Sequence, residues 1–309
     1  MTEYQILTDA EVRGWLTMDR AIGVMEEALH LLAEGKLFAP PRLRVGQAPG
    51  QLVFTVGGSA ETAVGFRVYD TFPQQAKRWD QRQIVVVYDG TDGQLKGLII
   101  GRLLGAMRTG ALGGVALRYL ARQDARRLAV IGSGFQARTQ VAAALAVRPI
   151  ESVRIYSRTK AHAAAFADEL TDRYSVSVQV APAAREAVIW ADIVLCATDS
   201  RRPVLDTRWL RPGVHVSTIG PRMRGAQELP SEVATACDLV ASDSLAQIQA
   251  LDPDYFIDDV SQIAALADIV SGRRGGRPSP DAVTLFCSVG LAGTEVLLGD
   301  RLLQLVDAG

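Results

Sequence analysis

ARRLAVIGSGFQARTQVAAALAV, residues 125–147, decides the fold. An apolar run, Leu128 to Ile131, leads into Gly132-Ser133-Gly134-Phe135-Gln136-Ala137 and then into an alanine-rich helical stretch. A G-x-G-x-x-G/A string carries meaning only in this order of strand, glycine turn and helix. The first glycine permits the tight turn, and the second lets a backbone approach a pyrophosphate. The small Ala137 lets the helix pack closely on the strand. The helix start offers unpaired N–H groups and the positive end of its dipole to phosphates. Gly132, Gly134, Phe135, Gln136 and Ala137 are thus expected to hold a dinucleotide.

Strands and helices keep alternating beyond this point. VRIYSR (153–158), SVQVA (177–181), DIVLCATD (192–199), GVHVSTIG (213–220) and DLVASD (238–243) are β-branched runs. TKAHAAAFADELTDRY (159–174) and AAREAVIWA (183–191) lie between them as helical stretches. This spacing predicts an α/β fold with a Rossmann-type, doubly wound parallel sheet. The second strand ends Ile155-Tyr156-Ser157-Arg158-Thr159-Lys160. An NAD site usually places an acid there for the ribose 2′-hydroxyl, and none is present. Arg158 instead suits a 2′-phosphate, with hydroxyls from Ser157 and Thr159. NADP(H) is therefore the preferred cofactor, and NAD(H) the second candidate.

The first third reads differently. Thr8 and Glu11 form a T-x-x-E capping signal. Asp19 is the expected cap of a second helix, with Ile22, Met25, Leu29 and Leu32 on one face and Gly35 as its stop. QLVFTV (51–56), VGFRVYDTF (64–72), QIVVVYD (83–89) and LKGLII (95–100) are strands, the last two joined by an Asp-Gly-rich turn. An antiparallel or mixed sheet is expected. Residues 101–122 form a long Ala/Leu-rich helix, and Phe286 to Leu305 a terminal one.

Composition removes several functions. Lys plus Arg is 33 and Asp plus Glu 34, a formal net charge of -1 that argues against a nucleic-acid binder. No apolar run reaches the ~18 residues of a membrane span. The opening MTEYQILTDAEVRGW is not read as a secretory signal. Cys196, Cys237 and Cys287 lack ligand spacing, and the three histidines (His30, His162, His215) do not pair, so no metal site is expected. Reduced thiols suit a cytoplasmic protein.

With these residues in place, the chain resembles the ornithine cyclodeaminase/mu-crystallin family over nearly its full length. The resemblance rests on PPRLR, GFRVYDTFP, YDGTDGQLKGLIIGRLLGAMRTGALGGVALRYLAR, GSGFQA, SRT, CATDS with WLRPGVHVSTIG, and TLFCSVGLA. Met107-Arg108-Thr109-Gly110-Ala111, ahead of GSGFQA, is its most specific piece. It implies a discontinuous substrate and dimerisation domain (1–121 with 288–309, a smaller α+β unit) around a dinucleotide domain (122–287). It also implies a homodimer. Arg108 and Arg42 would bind a substrate carboxylate, with Arg44 two residues away as an alternative for Arg42. Thr109, Thr198, Val216, Ile219 and Ser288 would touch the cofactor. A guanidinium fork suits a carboxylate on chemical grounds as well.

Two departures from the family are visible. The usual lysine of G-x-K is Arg67, in Gly65-Phe66-Arg67, and the cyclodeaminase aspartate position is Arg222. Arginine binds anions but is a poor acid or base, and a cation at 222 would repel an ammonium. Arg67, Arg108 and Arg222 are the catalytic-site candidates. With Arg42 they suit a small acidic amino- or imino-acid substrate. Glu228 matches an acid that many members share and is read as structural. Asp70, Tyr69, Tyr88, His215 and water are the candidate proton donors. The expected function is NADP(H)-dependent reduction of a ketimine or imino acid, or the reverse dehydrogenation. The alternatives are a cyclodeaminase-like lyase with recycled NAD(H), and a catalytically silent NADP(H)- or ligand-binding protein.

Overall fold

A computed structural model describes residues 4–46, 48–72 and 83–309, so the final proline of GFRVYDTFP lies outside it. The chain divides into two units, Met1–Ala111 with Gly290–Gly309, and Leu112–Val289. The sequence places these boundaries near 121 and 288, whereas the first division falls inside a helix.

The first unit opens with strand β1 (Gln5–Thr8), helix α1 (Asp9–Trp15) and helix α2 (Met18–Ala33). Then come β2 (Leu43–Val45), β3 (Leu52–Ser59), β4 (Ala63–Asp70), β5 (Gln83–Asp89), β6 (Leu95–Gly101) and α3 (Leu103–Leu120). The sheet order is β1-β6-β5-β4-β3-β2. It is mixed, because β1 runs parallel to β6 and the other pairs are antiparallel. β1 is a correction to the all-helical opening. QILT is too short to show a period, and its place is fixed by pairing with a strand about ninety residues later. The capping box is present, with Thr8 accepting from Ala10 N and Glu11 accepting from Thr8 N. The second helix is capped by Thr17, not by Asp19, which sits in its first turn. An N-cap needs extended backbone, and Thr17 has it (ψ 159°). Gly35 follows in the left-handed region.

The second unit runs β7 (Arg127–Ile131), α4 (Phe135–Val147), β8 (Ser152–Tyr156), α5 (Lys160–Arg173), β9 (Ser177–Val180), α6 (Ala184–Val188), β10 (Ile193–Cys196) and β11 (His215–Thr218). A hairpin, β12 (Arg222–Met223) and β13 (Ala226–Gln227), precedes β14 (Leu239–Ser242), α7 (Leu245–Gln249), β15 (Ala264–Ala265), α8 (Leu266–Val270) and β16 (Thr284–Cys287). The eight-stranded sheet has the order β15-β14-β16-β11-β10-β7-β8-β9, and its pairs are parallel. The strand order reverses between β7 and β10, so the crevice beyond their carboxyl ends is a ligand position. The core strands are buried on both faces, as a sheet covered by helices requires.

After β16 the chain returns to the first unit as α9 (Thr294–Asp307), which packs on β3, β4 and β5. The expected helix from Phe286 thus begins at Thr294. Phe286 belongs instead to the interior of the parallel sheet.

Candidate active site

In the second unit, β7 hands over to Gly132 at φ +112°, where a Cβ would overlap the Ala197 carbonyl oxygen. Only glycine fits both constraints. Gly134 is the N-cap of α4 and carries no side-chain cap, and the space around it is open. The first N–H groups of α4, at Phe135, Gln136 and Ala137, thus begin a helix that a phosphate can cap. Ala137 is fully buried. Arg138, which the sequence reading passed over, shapes this loop. Its Nη1 donates to Ser133 O (3.1 Å) and Gly134 O (3.0 Å), and Glu169 holds it at 2.6 Å. Two loop carbonyls are thereby occupied on the protein side, and a positive charge lies beside the turn.

Ser157, Arg158 and Thr159 follow β8. Arg158 is exposed. Thr159 is the N-cap of α5 without a side-chain hydrogen bond. These groups can close around a phosphate on the ribose.

The loops after β10 and β11 are fixed by Glu228, which is 0 % exposed. Its Oε2 accepts from Thr198 N (2.9 Å) and Thr198 Oγ1 (2.8 Å). Its Oε1 accepts from Thr218 Oγ1 (2.7 Å), Ile219 N (3.1 Å) and Gly220 N (2.6 Å). One carboxylate therefore ties Thr198 and Ile219 together at the switch point. Val216 lies apart from them, inside β11 with its side chain in the core. Ser288 is buried and donates from Oγ to Asp243 Oδ2 (3.2 Å). Arg222 spends its guanidinium on two backbone carbonyls, Ser288 O and Ile219 O (3.0 Å). His215 is 0 % exposed, with Nδ1 at 2.9 Å from Thr284 Oγ1 and Nε2 at 2.9 Å from Ser217 Oγ. Burial, with Arg277 and Arg148 adding to it, lowers its pKa to about 3. It is a neutral core residue, which removes it from the candidate proton donors.

The first unit gathers three guanidinium groups. Arg67 on β4 and Arg108 on α3 both donate to one oxygen, Glu295 Oε1 on α9. The Arg67 contact is 2.5 Å. Arg67 Nη2 also donates to Gln83 Oε1 (2.7 Å), and its Cζ lies 4.4 Å from the Tyr69 ring centroid. Tyr69 is thus the proton-donor candidate that shares the arginine face of β4. Asp70, on the opposite face, accepts from Phe72 N. Arg42 comes in beside Gly290 (φ +91°), where a Cβ would overlap its Nη2 and lie 3.5 Å from Arg108 Nη1. Arg42 and Arg108 therefore flank one short stretch of backbone, a spacing one carboxylate can bridge. Arg44 is not among them. It lies exposed on β2. Thr109, next to Arg108, donates to Gly105 O (2.8 Å).

Glu295 was missed by the sequence reading. Burial pushes its carboxyl up, but Arg108, Arg67 and its own backbone N–H bring it down to about 2. It is ionised, and the four groups carry a net charge of +2. A lone acid in the buried stripe Thr294-Glu295-Val296-Leu297-Leu298 is the signal that was there to be read.

Comparison with known proteins places the chain in a family. The ornithine cyclodeaminase/mu-crystallin family model matches residues 2–298. The chain belongs to this family. A Delta(1)-pyrroline-2-carboxylate reductase from Bacillus cereus is 31% identical over 313 residues, covering 97% of this chain and 95% of the relative. The structure of Thermococcus litoralis Delta(1)-pyrroline-2-carboxylate reductase in complex with NADH and L-proline is 30% identical. It covers 98% of this chain and 97% of that one, with a TM-score of 0.89. An archaeal alanine dehydrogenase dimer with bound NAD is 27% identical, covers 99% and 96%, and has a TM-score of 0.87. Among the described residues no helix is long and apolar enough to cross a membrane, and no cluster of ligating side chains could hold a metal ion.

Proposed function

We propose that the protein is an NADP(H)-dependent oxidoreductase that reduces the C=N bond of a small, acidic imino acid, or runs the reverse dehydrogenation. The observation that carries this reading is the gathering of Arg42, Arg67 and Arg108 around Glu295 and Gly290. Two guanidinium groups share one internal carboxylate, and Arg42 meets Arg108 at Gly290, a setting suited to the carboxylate of a substrate. The reductases and dehydrogenases among the relatives support the reaction class.

The dinucleotide fits the residues present. The open Gly134 cap, the loop held by Arg138 and the exposed Arg158 suit a pyrophosphate and a 2′-phosphate. When bound, the cofactor supplies hydride from its nicotinamide ring. The protein's part is to hold and orient. Arg42 and Arg108 fix the substrate carboxylate, which sets the position of Cα. Arg67 serves as a hydrogen-bond donor, since a guanidinium is a poor acid or base. An imine that arrives protonated is already electrophilic at carbon, so the reaction needs no acid from Arg67 or Arg222. The solved relatives named above hold NADH or NAD, and the NADP(H) preference rests on Ser157, Arg158 and Thr159. Thr198, Ile219 and Ser288 are the further cofactor contacts of this reading.

We also propose a homodimer in the cytoplasm. The edge of the first unit's sheet exposes Phe38, Leu43, Val45, Leu52 and Val56, an apolar strip suited to a second copy. Sedimentation at micromolar protein checks this, and a monomer would contradict it.

The test is a screen of pyrroline-, piperideine- and acyclic imino-carboxylates, iminosuccinate included, followed by loss of reduced-nicotinamide absorbance. NADPH oxidation by at least one imino acid supports the reading. Ammonia release from ornithine without net cofactor oxidation would replace it by a lyase. NADPH binding with an inactive panel would replace it by a silent ligand-binding protein.

A further inference from the structure

We propose that Glu295 is a positioning residue for the substrate carboxylate: it presets the Arg67 and Arg108 forks and fixes the charge that the substrate meets. This rests on the function proposed above.

The geometry is specific. Arg67 and Arg108 come from different elements, β4 and α3, and both donate to the same oxygen, Glu295 Oε1. Two guanidinium groups this close repel each other unless a carboxylate lies between them. Glu295 is 1% exposed and Arg108 4%, so water cannot screen the pair. The second oxygen, Oε2, lies 3.5 Å from Thr294 Oγ1, whose proton goes to Leu291 O (2.6 Å). Arg67 is braced again from its other side. Gln83 Oε1 takes Arg67 Nη2. Arg108 Nη1 lies beside the Cβ-free Gly290, next to Arg42. Glu295 thus takes one edge of the Arg67 fork and one edge of the Arg108 fork, while Arg108 Nη1 faces Gly290 beside Arg42. A Cβ at Gly105, one turn before Arg108, would come within 2.9 Å of Gln83 Oε1 and 3.3 Å of Arg67 Nη2, so the ends of those two side chains would have to shift to admit it.

A merely structural ion pair would make a different prediction. Glu295→Gln keeps volume, shape and one carbonyl oxygen, but raises the cluster charge by one and replaces the anionic acceptor that both forks share by a neutral one. The arginines then separate and the reacting carbon shifts. A displacement of about 1 Å costs up to about a hundredfold in rate. The added positive charge holds the substrate at least as tightly. The expected signature is therefore a split, in which kcat for the imino acid falls about tenfold to a hundredfold while KM stays level or drops. Glu295→Asp retains the charge with a shorter reach and recovers part of kcat. NADPH affinity, set in the other unit, stays at the wild-type value in both variants.

Steady-state kinetics of wild type, E295Q and E295D on the best imino acid of the screen, with NADPH binding measured alongside, tests the inference. A kcat within about twofold of wild type in E295Q would overturn it. So would kcat and KM worsening together with a loss of NADPH affinity, since that is damage to the fold. L-Proline binding by calorimetry in the presence of NADP+ separates this from the reaction assignment. If the wild type binds L-proline but reduces no imino acid, the function proposed above fails and Glu295 is read from binding. Its affinity must then stay level or tighten in E295Q, as the added positive charge requires, and an affinity weakened more than about twofold overturns the inference. A wild type that binds no carboxylate overturns both.

Discussion

Glu228→Gln probes the joint between the two loops at the switch point. The carboxylate accepts from three donors at Oε1 and two at Oε2, three of the five being backbone N–H groups. Glutamine offers one carbonyl oxygen. Its best orientation keeps that oxygen toward Thr218 Oγ1, Ile219 N and Gly220 N and turns the amide NH2 toward Thr198. The Thr198 hydroxyl can rotate to accept from the amide, but the Thr198 N–H cannot and is left facing a donor. One stranded donor in a buried site costs about 2 kcal/mol, and replacing a charged acceptor by a neutral one for the remaining bonds adds about 1 kcal/mol. A loss of about 3 kcal/mol lowers the thermal midpoint by roughly 6–12 °C for a unit of this size. The assay is thermal unfolding of the full chain followed by far-ultraviolet circular dichroism, with dinucleotide affinity measured in parallel. A midpoint within about 2 °C of wild type would refute the reasoning, because five bonds to one buried group cannot be broken and re-formed at no cost.

Arg158→Ala should weaken NADPH binding by roughly 10–100-fold, the worth of a charge-assisted contact, and leave NADH nearly unchanged; equal effects on both would remove Arg158 from the 2′-phosphate. Arg138→Ala frees the Ser133 and Gly134 carbonyls, and calorimetry should show about tenfold weaker binding of either dinucleotide. His215 has a folded-state pKa lowered from 6.5 to about 3. The unfolded chain takes up a proton there that the folded one refuses, so its contribution is full above pH 6.5 and is lost as the pH falls toward 3. Urea unfolding should show about 2 kcal/mol lost between about pH 7 and about pH 5 through this group, and His215→Asn should remove that part of the slope.

Local signals were readable, and signals spread over the chain were not. The glycine loop, the capping box at Thr8 and the uncapped start of α4 are written in consecutive residues. Arg108 could be read as well, because a charge in the apolar, glycine-rich first half of a helix must meet a partner. The partner itself could not. Glu295 is 187 residues from Arg108 and 228 from Arg67, and no spacing rule spans such a distance. The same holds for Arg222. The sequence reading grouped it with the other arginines by charge, yet its guanidinium holds two backbone carbonyls. Charge alone does not say whether an arginine meets a ligand or a carbonyl. The strand at Gln5–Thr8 was hidden for a related reason, since the strand it pairs with is β6, about ninety residues later. Arg44 was separated from Arg42 only when Gly290 came into view.

The most direct test of the central claim follows the hydrogen atom. NADPH carrying deuterium at nicotinamide C4 is incubated with the protein and the best imino acid of the screen, and the amino-acid product is analysed by mass spectrometry and proton NMR. One deuterium is expected at Cα of the product, delivered stereospecifically from one face of the ring. Product formed with no deuterium at Cα, or no product from any imino acid while NADPH is bound, would contradict it.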